Sequence, residues 1–365
     1  MFMLKYLLPA ILFAHGLLHT MGFAKVFNYA NIPQLTKDIS KPNGVFWLLT
    51  ALLFVTAAIL CLLKKEGWVY VAFAAVVISQ VLIISVWHDA KFGTILNIII
   101  FVFTISSWAT FHFEMDFKKD VDNHMAETNF VTYDLLMDAD INSLPFPVQK
   151  YIRYSSAINK PKVINMKIVF DGEMREKGKD FFKFTSVQYN FFDEPTRLFF
   201  MKAKMYGVPV PGYHCYQNER AIMQIKLLGL FNVENIKGTE MNKAETVTVF
   251  NDMCLMAPAS LIDKRIVWTA IDILTAKANF TNGTNSITAV LYFNEQGQLI
   301  NFISDDRYAV NEMKQYRFST PVKNYTQIDG RNIMQYGETI WHYPDGEFVY
   351  GKFTLKSIEY NVKKL

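Results

Sequence analysis

Two histidines four residues apart, His15 and His19, stand inside an otherwise apolar run near the start of the chain. In a helix that spacing puts both imidazoles on one face, where they could share a transition metal or a haem, relay a proton, or hydrogen-bond to a neighbouring helix. At ~1.5 Å per residue, His19 lies about 22 Å into its run, and Asn97 reaches the same level from the opposite end of a later run. His88 and Asp89 sit further out, at the mouth. Polar groups at such depth are costly in hydrocarbon and face a bundle interior or a water-filled cavity, which makes His15, His19 and His88 the candidate metal set. Gly16 and Gly22, beside the histidines, suit close helix packing and cofactor access equally well.

No other constellation names a reaction, and no catalytic residue is assigned. HExxH, GxSxG, a Walker loop and GxGxxG after a strand are all absent from the sequence. His214 and Cys215 are neighbours in a strand-like segment, so their side chains point to opposite faces, and the same geometry separates Asp305 from Asp306. His342, beside Trp341 and next to a turn, reads as an exposed or interface histidine. Of the three cysteines, Cys61 lies in an apolar run. Cys215 and Cys254 stand outside any CxxC or Cys/His ligand spacing and read as buried small hydrophobes, with a disulfide between them left open. A net charge of +4 with no basic stripe excludes nucleic acid as a partner.

The elements that must position the histidines are four apolar stretches, Leu4 to Phe23, Val45 to Leu63, Val69 to Trp87 and Phe92 to Trp108. Each is near the ~20 residues that cross a ~30 Å hydrocarbon core. Lys64 and Lys65 close the second, Trp68 opens the third, and Trp87 and Trp108 occupy interfacial positions. The first stretch carries two histidines and continues into Lys25, which reads as a retained helix rather than a cleaved signal. The expectation is a multi-pass protein of the cell (inner) membrane, in contact with membrane lipids. Lys5, Lys64, Lys65, Lys118 and Lys119 on one side outnumber Lys25, Lys37, Lys41 and Lys91 on the other by a single lysine. That margin favours a cytoplasmic C-terminal domain and leaves a periplasmic one open.

Composition then divides the chain into a four-helix transmembrane domain (1–113), a polar connector with the character of a hinge (114–143) and a C-terminal domain (144–365). LPFPVQKYIRYSSA suggests a helix entered through Pro145 and Pro147. Thereafter the period becomes two. In INMKIVFDG, Ile164, Met166, Ile168 and Phe170 share one face, and in FFMKAKMYG, Phe199, Met201, Ala203 and Met205 lie opposite Phe200, Lys202 and Lys204. Asn282-Gly283, Glu295-Gln296-Gly297 and Pro344-Asp345-Gly346 mark hairpins. Asn242 followed by Glu245 suggests a capping box for a helix carrying Val247, Phe250 and Cys254 on one face until Pro258, although the β-branched run TVTV opposes it. The architecture implied is an all-α four-helix transmembrane bundle followed by a mainly antiparallel β (α+β) half-barrel with one or two covering helices.

The segments GVPVPGYHCYQNERAIMQIKLLGLF, APASLIDKRIVWTA and ETIWHYPDGEFVYGKFTLKSIEYN resemble a bacterial domain family of unknown function, one similar to lipoprotein carriers of the LolA type. HGLLHTMGFAKVF, ISKPNGVFWLLTALLF and DAKFGTILNIII resemble the N-terminal region of such proteins from Bacteroidetes-type bacteria, with a fainter likeness to four-helix DoxX-type proteins. The resemblance implies a half-barrel and brings no catalytic residues. Two readings of function follow. In the first, the half-barrel binds a lipid or other hydrophobic small molecule in a pocket lined by Met166, Phe170, Phe184, Phe199, Met201, Met205 and Met223, where methionine suits an adaptable apolar site. No cofactor is predicted under it. In the second, the His15, His19 and His88 cluster serves a membrane redox or proton-transfer enzyme, with haem or a transition metal as cofactor.

Overall fold

The computed structural model describes residues 2–128 and 134–365. The chain divides into two compact units, Met1–His112 and Phe113–Leu365.

The N-terminal unit contains α1 (Phe2–Val26), α2 (Lys41–Leu62), α3 (Trp68–Ser85), α4 (Trp87–Ala90) and the first part of α5 (Gly93–Glu127). Among the described residues α1, α2, α3 and α5 are long and apolar enough to cross a membrane. Ser40 caps α2, its hydroxyl accepting from the Asn43 N–H, with Pro42 in the first turn where no donor is lost. The unit is inside-out by the standards of a water-soluble bundle. His15, His19, Thr50, Ser79 and Asn97 are buried, while Leu17, Phe46, Leu52, Phe73, Val81 and Ile98 face outward and are exposed. Gly22 leaves room for the Trp47 ring, which a Cβ would meet at 2.2 Å, and Gly16 brings α1 against the α2 backbone at Ala51. Both glycines therefore serve close packing.

In the C-terminal unit, α5 continues well past the predicted end of its apolar run at Trp108. Phe113, Phe117, Val121 and Met125 form a stripe at helical spacing that packs against Tyr189, Phe191, Leu198, Phe200 and Tyr213. Residues 114–127, read from composition as part of a polar connector, are thus a docked helix. Asp116, Lys119 and Asp122 lie on its exposed face and account for the linker-like text. Of the remaining connector, residues 129–133 lie outside the described residues and α6 (Asp138–Ile141) forms a single turn. Next comes α7 (Phe146–Tyr154), entered through Pro145 and Pro147 as their restricted backbone requires.

Strands follow as β1 (Asn165–Met174), β2 (Phe182–Phe191), β3 (Thr196–Met205), β4 (Val208–Pro209), β5 (Gly212–Gln217), β6 (Arg220–Leu227) and β7 (Phe231–Lys237). After α8 (Thr239–Met256) and a 3-10 turn at Pro258–Ile262 come β8 (Ile266–Ala270), β9 (Thr275–Asn282), β10 (Asn285–Phe293), β11 (Leu299–Ser304), β12 (Tyr308–Ala309), β13 (Lys314–Gln315), β14 (Arg317–Ile328), β15 (Arg331–Tyr343) and β16 (Gly346–Tyr360). The main sheet runs β7-β6-β5-β3-β2-β1-β16-β15-β14-β11-β10-β9-β8, with β4 paired to β3, and β12-β13 stand apart. All its pairings are antiparallel, and the first and last long strands meet at its centre, where Ile168 lies opposite Ile358.

This sheet is not flat. In a flat sheet β5 and β9 would be about 43 Å apart, nine strand spacings. Instead the Asn282 side-chain amide donates to the Tyr216 hydroxyl at 2.8 Å. The β5-β6 and β9-β10 turns also meet, with the Asn285 amide donating to the Glu219 carbonyl at 2.9 Å and the Thr284 N–H to the Glu219 carboxylate at 3.2 Å. One end of the sheet therefore closes on itself around α8. Gly283, in the predicted Asn-Gly turn, has φ +55, and a Cβ there would overlap the Glu219 carboxylate. Gly283→Ala is expected to lower stability by about 1 kcal/mol through the left-handed backbone alone, read as a lower guanidinium midpoint at unchanged slope.

The helix α8 differs from its sequence expectation in where and how it starts. It begins at Thr239 after Gly238, and Asn242 is no cap: its side-chain oxygen accepts the Ala221 N–H at 2.7 Å. TVTV is helical because burial of Val247 and Val249 in the main core overrides their β preference, while Thr246 and Thr248 satisfy their hydroxyls on the carbonyls of Asn242 and Ala244. Val247, Phe250 and Cys254 are buried as one face, with Pro258 opening the next turn. The other predicted hairpins are present, Glu295–Gly297 joining β10 to β11 and Pro344–Gly346 joining β15 to β16.

Candidate functional site

The inner face of the sheet, the one toward α8, carries two distinct zones. The first is a buried ionic network. Arg197 on β3 alternates onto the inner face, where its Nε donates to Asp252 at 2.8 Å and its Nη1 to Glu245 at 3.1 Å, both on α8. From β2, the Gln188 amide donates to Asp252 at 2.7 Å and that of Asn190 at 3.2 Å, while Gln188 Oε1 accepts from Arg197 at 3.1 Å. His214 on β5 places Nδ1 at 3.6 Å from Glu245. Burial alone would raise Glu245, but Arg197 and His214 hold it at about 2. Burial keeps the Asp252 carboxyl above its ordinary value although Arg197 and Asn190 donate to it. Because these donors are engaged with the protein's own groups, the network acts as a clamp holding α8 to the sheet.

The second zone lies beyond that clamp. Phe184, Phe199, Met201 and Ala203 form a buried apolar cluster, with Met174, Phe182 and Phe353 packed around it, and Phe353 joins it to the main core at Phe170, 5.5 Å between ring centroids. The Arg197 guanidinium lies 4.7 Å over the Phe199 ring, so the ionic network forms the floor of the cluster. The Phe184 ring lies across Gly172, where a Cβ would come within 2.2 Å of it, and stands 5.4 Å from the Phe353 ring.

Of the seven residues assigned to a hydrophobic pocket, the fold brings together Phe184, Phe199 and Met201. Met166 and Phe170 belong to the main core under α8, and Met223 packs against that core. Met205, at the end of β3, is half-buried. Sequence reasoning missed Arg197, Gln188, Asn190, Glu245 and Asp252. A signal existed: Gln188 and Asn190 alternate onto one strand face, and Glu245 and Asp252, seven residues apart, share one helical face.

His15 and His19 are buried together, their ring centroids 4.7 Å apart. Asn97 meets His15 rather than His19, Oδ1 to Nε2 at 2.9 Å, one turn from the expected level. His88 does not join them. Its side chain is 95 % exposed and turns to Asp89 at 3.2 Å, because Asp89 is drawn to the Thr36 and Lys37 backbone N–H groups of the preceding loop. Among the described residues no three His, Cys, Asp or Glu side chains are grouped to hold a metal ion, so the three-histidine centre is not assembled. Cys215 and Cys254 are both buried and free. His342 is half-buried, 2.8 Å from the Ser319 hydroxyl and 3.3 Å from Glu347. Asp305 and Asp306 take different partners, Arg317 and Lys243.

The class of protein so defined is a helical N-terminal region, with four apolar helices, followed by a large antiparallel sheet curled around a helix. Residues 134–353, more than half of the chain, match the model of a family of unknown function, DUF6544, and the protein belongs to that family. Among solved structures it is similar to an outer membrane lipoprotein-sorting protein domain from Vibrio parahaemolyticus, at 7% identity over 54% of this chain and 86% of that one, with a TM-score of 0.31. It is also similar to a LolA superfamily protein from Nitrosomonas europaea, at 9% identity over 59% of this chain and 94% of that one, with a TM-score of 0.34. The chain matches no curated protein.

Proposed function

We propose that this is an integral membrane protein whose C-terminal unit binds a lipid or other hydrophobic molecule at the outer end of the inner sheet face, with Phe184, Phe199, Met201 and Phe353 as its walls. The observation that carries the reading is the apolar cluster itself, which lies over the Arg197 end of the ionic network and meets the main core through Phe353. It is built from side chains that can move aside: an unbranched methionine and a phenylalanine laid over a glycine. Membrane integration is supported by four helices that bury their polar groups and expose Leu, Ile, Val and Phe, the pattern hydrocarbon favours.

The full chain, purified in mild detergent, should carry lipid detectable by native mass spectrometry and should bind a fluorescent fatty acid that lipid extracted from the same cells displaces. Ala203→Trp fills the cluster and should weaken probe binding by about tenfold or more, 1.4 kcal/mol. Absence of both lipid and probe binding, or an Ala203→Trp variant that binds as the parent does, would reject this reading.

A further inference from the structure

We infer that the N-terminal helical unit holds a second site, independent of the sheet domain, for a small uncharged aromatic molecule bearing a hydroxyl group. A cavity of ≈ 190 Å³ lies within this unit, lined by His15, His19, Trp47, Leu35, Ile83 and Phe92 among others. Three polar atoms of its lining residues, His15 Nδ1, His19 Nε2 and Trp47 Nε1, are buried and make no hydrogen bond within the protein. All three residues are more than nine-tenths buried. Unmet polar groups in such surroundings are costly, so three on residues that border one cavity point to a ligand rather than to packing.

The hydrogen bonds behind the rings define what each unmet atom offers. The Gln80 side-chain nitrogen donates to Thr94 at 3.2 Å, which turns Gln80 Oε1 toward Asn97 to accept from its Nδ2 at 3.0 Å. Asn97 Oδ1 is thereby aimed at His15, where Ser79 also donates to it at 3.0 Å, so the proton on neutral His15 is on Nε2. Its Nδ1 is left as an acceptor. His19 Nδ1 lies 2.9 Å from the His15 carbonyl and must be the donor, which makes its Nε2 a second acceptor. Trp47 offers only an N–H. The site therefore presents two acceptors and one donor.

A hydroxyl meets two of these three groups: it donates to one imidazole nitrogen, assigned to His19, whose ring lies 5.1 Å from that of Trp47, and it accepts from the indole. The remaining walls are apolar apart from the uncharged Gln34 and from Asp89, whose carboxylate is already engaged by Thr36 and Lys37, so nothing in the lining calls for a charged ligand. Gly93 keeps the cavity open, since a Cβ there would press on Ile83 at 2.8 Å and stand 3.7 Å from the His15 ring. The volume is that of a site for a single substituted ring; an engineered apolar cavity of about 150 Å³ admits benzene.

The test is calorimetric titration of the full chain in detergent with p-cresol, 4-methylanisole and toluene, which share a ring and lose first the hydroxyl donor and then the acceptor. The p-cresol should bind about fivefold or more tightly than 4-methylanisole, the lower bound for leaving a buried acceptor unmet. His19→Leu should erase that preference while toluene binding persists. Trp47→Phe, which keeps an aromatic wall, should reduce p-cresol binding and leave toluene unchanged, and it guards against a histidine variant that fails to fold. Equal binding of the three compounds, binding of none because water alone satisfies the imidazoles, or stoichiometric zinc retained by the parent and lost in His19→Leu would each overturn the proposal. None of these outcomes bears on lipid binding by the sheet domain.

Discussion

Replacing Arg197 with methionine is expected to destabilise the C-terminal unit by about 3–5 kcal/mol, the usual consequence of leaving one side of a buried ion pair without its partner. Arg197 is 7% exposed, and the groups it abandons, Glu245 and Asp252, lie at 3.1 and 2.8 Å. Removing their charge as well, in Arg197→Met/Glu245→Gln/Asp252→Asn, should restore most of the loss, because a neutral trio no longer carries the desolvation penalty. Guanidinium unfolding of the full chain in mild detergent, followed by the near-ultraviolet signal, measures both. Failure of the triple variant to recover would mean that Arg197 acts through packing rather than charge.

The same network has a pH signature. Glu245 has its pKa depressed from an ordinary 4.5 to about 2, so its contribution is fully present above about 4.5 and is lost as the pH falls toward 2. Asp252 is shifted the other way by burial, and its protonation relieves strain over the acidic range. The expected result is that the stability difference between the parent and Glu245→Gln shrinks between those two pH values, while the difference between the parent and Asp252→Asn does not shrink in parallel.

Phe250→Ala is the other large effect, at about 3–5 kcal/mol. Phe250 is fully buried on α8, its ring stacked at 5.2 Å on Phe280 of β9 and within 5.9 Å of Phe302 on β11 and 6.3 Å of Trp268 on β8. Those strands belong to one end of the sheet, and Arg197 ties the same helix to strands nearer the other end. Losing the ring should therefore loosen the wrap of the sheet around α8, read as faster hydrogen exchange in β8, β9 and β11 with β1 and β16 least affected. Uniform acceleration across the sheet would show that the wrap does not depend on this contact.

Much of the fold is legible in the residues. Four apolar runs of spanning length, the alternation of Met166, Ile168 and Phe170, and the turns at Asn282-Gly283 and Pro344-Asp345-Gly346 each encode local structure, because helix period, strand period and turn dihedrals depend on neighbours a few residues away. The inward placement of His15 and His19 is legible too, since their spacing sets a common face. What the spacing could not reveal is the partner each face meets. Asn97 came one turn off its expected level, His88 was captured by the position of Asp89 against the 36–37 backbone, and Phe113, Phe117, Val121 and Met125 were hidden in charged text.

The ionic clamp shows the limit most clearly: Arg197 lies 48 and 55 residues from its two carboxylates. A sequence period states which side chains share a face, so the residues alone determined the elements, their apolar faces and the supply of Phe and Met. The curl of the sheet, the meeting of β5 with β9 and the gathering of one apolar cluster beside the main core arise from which faces come together in three dimensions. Pairings so distant in the chain depend on closure of the whole sheet around α8, and only the tertiary structure decided them.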